Sequence, residues 1–316
     1  MKKILLLGGS GFVGSALASR LSVDGWQVLI PSRRRERNKA LAMLPRVDVV
    51  EADIFNEATL TALAQGCDAV INLVGILHSS SMKSPYSADF ARAHVELPKK
   101  IIAACKAAGV RRLLHMSALK ANLKGPSEYL ASKGDGEDIV LQASKDLNVT
   151  VFRPSVIFGA GDEFLNTFVS VHQLAPFFPL GFGQSKLQPV WISDVADAFA
   201  TCLEDGNTFG QAYDLCGPKV YTLRELVEYA ARLCGRRAPV IPLCRGLARI
   251  QAGLMWLAPK PLLSPDNLRS LQVDSVCGED CKCFPGWKPT ALETVAPTYI
   301  QSGKSRLQIL RELAGR

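Results

Sequence analysis

The run Gly8-Gly9-Ser10-Gly11-Phe12-Val13-Gly14 constrains this chain more than any other segment. It follows Lys3–Leu7, whose Ile4-Leu5-Leu6-Leu7 reads as a buried strand, and it opens Phe12–Val23, which reads as a helix. Glycines between a strand and a helix let the backbone approach a diphosphate at the positive helix N-terminus. The run satisfies both G-x-G-x-x-G and G-x-x-G-x-x-G, and the strand-turn-helix context makes the match specific. Dinucleotide binding is therefore expected, with Gly8, Ser10, Gly11, Phe12, Val13 and Gly14 against the ligand. The same stretch, with Lys2-Lys3 before it and Ala16-Leu17-Ala18 ahead of Ser19, imitates a signal peptide. Its apolar run stops after Leu7, so it reads as mature protein.

Further strands are predicted at Gln27–Ile30, Val47–Glu51, Ala69–Leu73, Arg112–Met116 and Val149–Phe152, and helices at Arg34–Leu44, Glu57–Ala64, Ala88–Ala108 and Pro126–Ala143. Strands that alternate with helices imply a parallel sheet. Runs such as Leu5-Leu6-Leu7 and Val70-Ile71 do not alternate apolar with polar, as expected when helices cover both faces. The fold class is α/β, a doubly wound parallel sheet of the Rossmann type. Beyond Pro154 the pattern loosens through Pro176–Gly183, with helices near Ser193–Leu203, Leu223–Cys234 and Pro242–Leu257. At about 150 residues per domain, 316 residues divide into two units. Residues 1–160 are expected to bind the dinucleotide, with 189–215 returning to them, while 161–188 and 216–316 form a smaller C-terminal α/β cap.

Hydrophobic residues make up 48% and charged residues 21%, which excludes disordered and collagen-like classes. No uncharged apolar run is long enough for a transmembrane helix. The net charge of +8 sits in short clusters, Arg33-Arg34-Arg35 and Arg236-Arg237, which suit a local anion such as a phosphate better than nucleic acid. Nine cysteines scattered from Cys67 to Cys283 do not form the framework of a small secreted domain, so a reducing, cytoplasmic location is expected. Cys277, Cys281 and Cys283 lack a nearby histidine; they are expected to be free thiols, and no metal is expected.

An NAD-type site places Asp or Glu at the end of the second strand to hold ribose hydroxyls. Here that place holds Pro31-Ser32-Arg33-Arg34-Arg35. Guanidinium groups and a hydroxyl suit a 2′-phosphate, so NADP(H) is favoured over NAD(H), with Ser32, Arg33 and Arg34 as its contacts.

Tyr129 and Lys133 are spaced to share one helix face, and they follow the fifth strand, whose end carries Ser117. Together with the glycine run, Asp53-Ile54, Asn72-Leu73-Val74-Gly75, Tyr129-Leu130-Ala131-Ser132-Lys133 and Arg153-Pro154-Ser155-Val156-Ile157-Phe158-Gly159, this order of motifs resembles the short-chain dehydrogenase/reductase superfamily. The likeness is to its extended or atypical branch, the NAD-dependent epimerase/dehydratase-like proteins. Arg153–Gly159 followed by Asp162-Glu163-Phe164-Leu165-Asn166 is similar, more narrowly, to the NADPH-binding accessory subunits of respiratory complex I and their bacterial relatives.

The resemblance implies a proton relay beside a nicotinamide. Tyr129 would be the general acid/base, its phenol pKa lowered by the Lys133 ammonium and the oxidised nicotinamide, and Ser117 would hydrogen-bond the substrate oxygen. Lys133 would also hold the nicotinamide ribose. Asp53 and Ile54 would flank the adenine, Leu73, Val74 and Gly75 would line the dinucleotide, and Pro154 would sit by the nicotinamide amide. Two departures stand out. Ser117 and Tyr129 are close in sequence for an extended enzyme, and Gly134 and Gly136 fall inside the helix, each costing about 1 kcal/mol relative to alanine, which predicts a loosened helix.

In the cap, Leu243, Leu247, Ile250, Leu254 and Leu257 step by four and three along one helical face, with Arg245, Arg249 and Lys260 alongside and Trp256 near the end. Such a stripe packs into the protein's own core or, given its basic residues and tryptophan, meets a partner subunit or the inner face of a membrane. His78, His94, His115 and His172 show no ligand spacing, and His78 is read as a solvated loop residue. Two functions follow: an NADP(H)-dependent reductase or epimerase acting on a hydroxyl or carbonyl, with nucleotide-sugars as one substrate class, or a non-catalytic NADPH-holding subunit of a membrane-associated respiratory complex. Substrate contacts would come from Ile76–Ser87 and Ala160–Gln188.

Overall fold

The computed structural model describes residues 2–79, 83, 85–174, 177–236, 239–256 and 263–300. Its centre is a seven-stranded sheet built from β1 (Lys3–Leu7), β2 (Gln27–Ser32), β3 (Val47–Glu51), β4 (Ala69–Asn72), β5 (Arg112–Met116), β6 (Asn148–Pro154) and β7 (Gln211–Leu215). The order is β3-β2-β1-β4-β5-β6-β7, and every pairing is parallel. Strand order reverses between β1 and β4. The crevice at such a switch point, above the carboxyl ends of the strands, is where ligands bind in open α/β sheets.

Successive strand residues point to opposite faces, so a strand apolar throughout must be covered twice. Ile4, Leu6, Val28, Ile30, Ile71 and Phe152 pack under α1 (Phe12–Val23) and the helix Ile192–Cys202. Leu5, Leu7, Val70, Leu113, Val149 and Val151 pack under Glu57–Ala64, Leu97–Ala108 and Glu128–Gln142. Phe284, late in the chain, also enters the first of these cores, beside Phe152 and Tyr213.

The predicted helix Arg34–Leu44 is instead a 3₁₀ turn, Arg35–Asn38, followed by the short helix Lys39–Ala42. The Asn38 amide donates to Ser32 Oγ and to the Arg34 carbonyl, a local alternative that competes with helix propagation. The Ala88–Ala108 helix contains one turn of π-helix at Ala91–Glu96, a distortion frequent at functional sites.

The smaller region packs Leu165–Leu174 and Leu223–Leu233 around Phe158, Leu165, Leu226, Val227 and Leu292. One expectation fails here, and the core-packing alternative for the cap stripe is set aside for its middle residues. Cys277 is not a free thiol: it is disulfide-bonded to Cys216, just past β7, because Gln188 holds both neighbourhoods together through the Cys277 amide and the Gly217 backbone. The helix Arg245–Trp256 leaves Leu247, Ile250 and Leu254 of the apolar stripe exposed and buries Ala248 and Ala252, while Leu243 packs partly buried against them. Leu257 and Lys260 of that stripe lie outside the described residues. Among the described residues, no helix is long and apolar enough to cross a membrane, and no cluster of side chains suits a metal ion.

Candidate functional site

The glycine run forms a tight turn at the switch point. Gly8 has a φ of +79°, a conformation that favours glycine, and the Gly11 amide donates to the Gly8 carbonyl at 3.0 Å. A Cβ on Gly14 would fall 2.3 Å from the Gly8 carbonyl oxygen, so only glycine lets α1 begin this close to the turn. Ser10 and Gly11 are exposed, Phe12 is half-buried and Val13 is buried beneath them. No side chain caps α1, and its first turn contains no acidic residue. The turn therefore presents backbone amides and the positive end of a helix dipole, a cradle for an anion.

Around it lie the other expected contacts. Leu73 is buried, its amide bonded to the Leu7 carbonyl, and the Val74 amide donates to Asn72 Oδ1. Gly8 and Leu73-Val74 lie so close that a Cβ on Gly8 would sit 3.1 Å from their backbone. Ser32, at the tip of β2, accepts from the Arg34 amide, while the Arg33 and Arg34 side chains reach into solvent. The Asp53 carboxylate accepts from the Phe55 amide, which fixes the turn after β3, and Ile54 is half-buried. Pro154 is buried at the end of β6, its carbonyl accepting from the Leu119 amide.

β5 and the helix Glu128–Gln142 bring Lys133 to the backbone next to Ser117, while Tyr129, one turn earlier on that helix, packs its ring against Phe90 and His94. The Lys133 ammonium donates to the Met116 carbonyl at 2.5 Å, one residue before Ser117, and it lies 3.9 Å from where a Cβ on Gly75 would stand. Ser117 is 3% exposed, and its hydroxyl has no hydrogen-bond partner among the described residues. It caps no loop. Burial pushes the Lys133 pKa down to about 8, with Glu137 opposing, and pushes Tyr129 up to about 12. In the protein alone, loss of solvation dominates at Tyr129.

The glycines after Lys133 do not loosen its helix. A Cβ on Gly136 would fall 1.9 Å from the His94 carbonyl oxygen, and one on Gly134 would fall 2.6 Å from the Asn122 backbone. They let the helix dock against the π turn and the loop after β5, so their cost in helix propensity is exchanged for close packing.

Sequence reading assigned no role to four residues here. His94, in the π turn, accepts from the Ile76 amide through Nε2, contacts Ser132 Oγ through Nδ1, and meets the Tyr129 ring edge-on at 5.8 Å. Burial and Lys133 hold it well below the usual histidine pKa, hence neutral. Asp266 accepts from the Glu128 and Tyr129 amides, satisfying the first turn of their helix from the far end of the chain. Glu128 is buried and accepts from the Lys83 and Ser87 amides of the segment after β4. Asn72 pairs with His115 behind the site. The nearest signal was the Ser264-Pro265-Asp266 helix start, which marks a cap and not its target. His78, read as solvated, is half-buried, and its Nδ1 has no hydrogen-bond partner among the described residues. A cleft of about 430 Å³ opens beside Glu128, lined in part by Lys83, Lys124 and Arg269. Of the expected substrate loops, Ser80, Ser81, Met82, Ser84, Ala175 and Pro176 lie outside the described residues.

The NADH dehydrogenase (ubiquinone) 1 alpha subcomplex subunit 9, mitochondrial, of Rattus norvegicus is 30% identical over 297 residues, covering 91% of this chain and 77% of that protein. The ceramide reductase of Caulobacter vibrioides is 28% identical over 241 residues, covering 76% and 73%. Among solved structures, UDP-glucuronic acid 4-epimerase from Bacillus cereus, in complex with UDP-glucuronic acid and NAD, superposes with a TM-score of 0.70 at 18% identity, covering 94% and 98%; that likeness shows the fold. The sequence profile of the NAD dependent epimerase/dehydratase family matches residues 4–216, and this chain belongs to that family.

Proposed function

We propose that the chain binds NADP(H) across the carboxyl edge of its sheet and acts as a reductase or epimerase on a hydroxyl or carbonyl substrate. The observation that carries the catalytic part is the buried, unpartnered Ser117 hydroxyl next to the anchored Lys133 ammonium. A buried donor without a partner is costly, and a ligand oxygen there would satisfy it.

In this reading Gly8, Ser10, Gly11, Phe12, Val13 and Gly14 hold the diphosphate, Ser32, Arg33 and Arg34 the 2′-phosphate, Asp53 and Ile54 the adenine, and Leu73, Val74, Gly75 and Pro154 the remaining length. The nicotinamide, when bound, supplies or accepts the hydride. Lys133 holds the ribose and Ser117 donates to the substrate oxygen. Tyr129 protonates that oxygen as negative charge develops, and a phenol pKa near 12 keeps it in the donor form, which suits reduction.

A second reading is favoured by one observation, the similarity to the rat subunit over 91% of this chain. In it the chain is a non-catalytic NADPH-holding subunit of a membrane-associated respiratory complex, peripheral to the membrane on its cytoplasmic side. Titration with NADPH and NADH, followed by turnover on carbonyl and nucleotide-sugar substrates with wild type and Tyr129→Phe, separates the two. Turnover that Tyr129→Phe lowers by about 10²- to 10⁴-fold, with NADPH binding intact, supports the enzyme. Tight NADPH binding without turnover supports the subunit.

A further inference from the structure

Four of the nine cysteines meet at the end of β7. Cys216, one residue past that strand, is disulfide-bonded to Cys277. Asp214 pairs with Cys283 in a parallel bridge, and its amide donates to the Lys282 carbonyl at 2.9 Å. The Cys281 and Cys283 sulfurs lie 3.5 Å apart, and the Cys281 thiol donates to the Asp214 carboxylate. The other five cysteines are free thiols elsewhere in the fold, four of them buried and Cys244 exposed. An oxidised pair and a reduced pair thus share one short loop.

The two pairs differ in access. Cys216 is 4% exposed and Cys277 half-buried, whereas Cys283 is exposed and forms the entry point. Exchange requires a thiolate with a path to a disulfide sulfur. Burial, Cys283 and Asp214 together push the Cys281 pKa up to about 12, so Cys281 keeps its proton until a base takes it, and the Asp214 carboxylate is already hydrogen-bonded to it. Gln188 donates to the Gly217 carbonyl and accepts from the Cys277 amide, so both halves of the disulfide stay in register when the S–S bond is open.

We infer that Cys216, Cys277, Cys281 and Cys283 form a thiol–disulfide exchange site that reacts with thiols and disulfides of the glutathione class. The Cys283 thiolate attacks Cys277 Sγ, the bond to Cys216 breaks, and Cys216 leaves as a thiolate. Cys281, passing its proton to Asp214, then attacks Cys283 Sγ and releases Cys277. Cys216 and Cys277 gain the two electrons and two protons that Cys281 and Cys283 lose. Reduced glutathione reopens the new disulfide: one molecule attacks Cys283 and frees Cys281, a second attacks the mixed disulfide, and oxidised glutathione leaves. The site does not depend on turnover of a substrate, but it borders the candidate site, because Ser155, next to Pro154, donates from Oγ to the Ser275 carbonyl at 2.9 Å, two residues before Cys277.

The test treats the full chain with glutathione, blocks thiols before and after full reduction with two distinguishable alkylating agents, and maps them by peptide mass spectrometry. In native wild type, reduced glutathione should open the bond between Cys216 and Cys277 without denaturant, and intermediate ratios of reduced to oxidised glutathione should yield a disulfide between Cys281 and Cys283. Cys283→Ser should slow the opening by about tenfold or more, and Cys281→Ser should accumulate glutathione on Cys283, whose resolving thiol is gone. Cys244→Ser, an exposed thiol outside the loop, should match wild type. Thermal melting of each variant should also match wild type and report that the fold is intact. The inference is overturned if the Cys216 bond to Cys277 opens only in denaturant, which would make it a structural staple, or if Cys283→Ser opens it as fast as wild type. It is equally overturned if oxidised glutathione leaves Cys216 and Cys277 as free thiols, or if no glutathione ratio joins Cys281 to Cys283.

Discussion

The Lys133 ammonium and the Met116 carbonyl form a 2.5 Å hydrogen bond that ties the helix Glu128–Gln142 to the end of β5, one residue before Ser117. The bond holds a buried cation beside Ser117, and burial makes that cation costly. Its pKa falls from 10.5 to about 8, which corresponds to about 3 kcal/mol.

The sign of the pH dependence follows. Below about pH 8 the lysine is protonated in both the folded and unfolded states, so the penalty is fully present. Between about 8 and 10.5 the unfolded chain binds more protons, so stability rises with pH. Lys133→Met, which removes the charge but keeps the length, should therefore be more stable than wild type near pH 7, with an advantage that shrinks by about 2 kcal/mol toward pH 10. Urea unfolding of both proteins at the two pH values checks this; an advantage that does not change with pH would show that Lys133 is not buried as a cation.

Ser117→Ala should separate stability from function. Its hydroxyl has no partner, so removing it should leave the free protein as stable or more stable by about 1 kcal/mol, while lowering turnover by about 10²-fold. Melting curves without ligand and initial rates with NADPH test the pair of outcomes. A clear loss of stability would mean that the hydroxyl has a structural partner instead.

Gly136→Ala would ordinarily favour a helix by about 1 kcal/mol. Here the added Cβ would fall 1.9 Å from the His94 carbonyl oxygen, so the net effect should be a loss of about 3 kcal/mol or more, because backbone and not a flexible side chain must move. Denaturant midpoints decide the sign, and Gly253→Ala, in a helix with open space around the glycine, serves as the control that should not destabilise.

Arg33→Ala with Arg34→Ala should weaken NADPH binding by about 10- to 100-fold and leave NADH almost unchanged, since both guanidinium groups lie exposed beyond the tip of β2. Isothermal titration with each dinucleotide measures it. Equal losses for both cofactors would remove the 2′-phosphate assignment.

Local signals carried much of the architecture. β1, the glycine turn and α1 were readable because a non-alternating apolar run, a positive-φ glycine and the start of a helix are all dictated within about a dozen residues. The parallel sheet followed from alternation, and Tyr129, Lys133 and Ser117 followed from the order of motifs along β5 and its helix. What lay beyond the sequence depended on contacts between distant segments. Gly134 and Gly136 read as weak points because propensity is local, whereas their value lies in the approach of the His94 and Asn122 backbones. Asp266 satisfies the Tyr129 helix from 137 residues away, and Cys216 pairs with Cys277 across 61. Periodicity showed that Leu247, Ile250 and Leu254 share a face, but not whether that face turns inward. Only the small residues Gly181, Ala248 and Ala252 closing against one another decide that it turns out, because a helix buries the side that can approach its neighbour most closely.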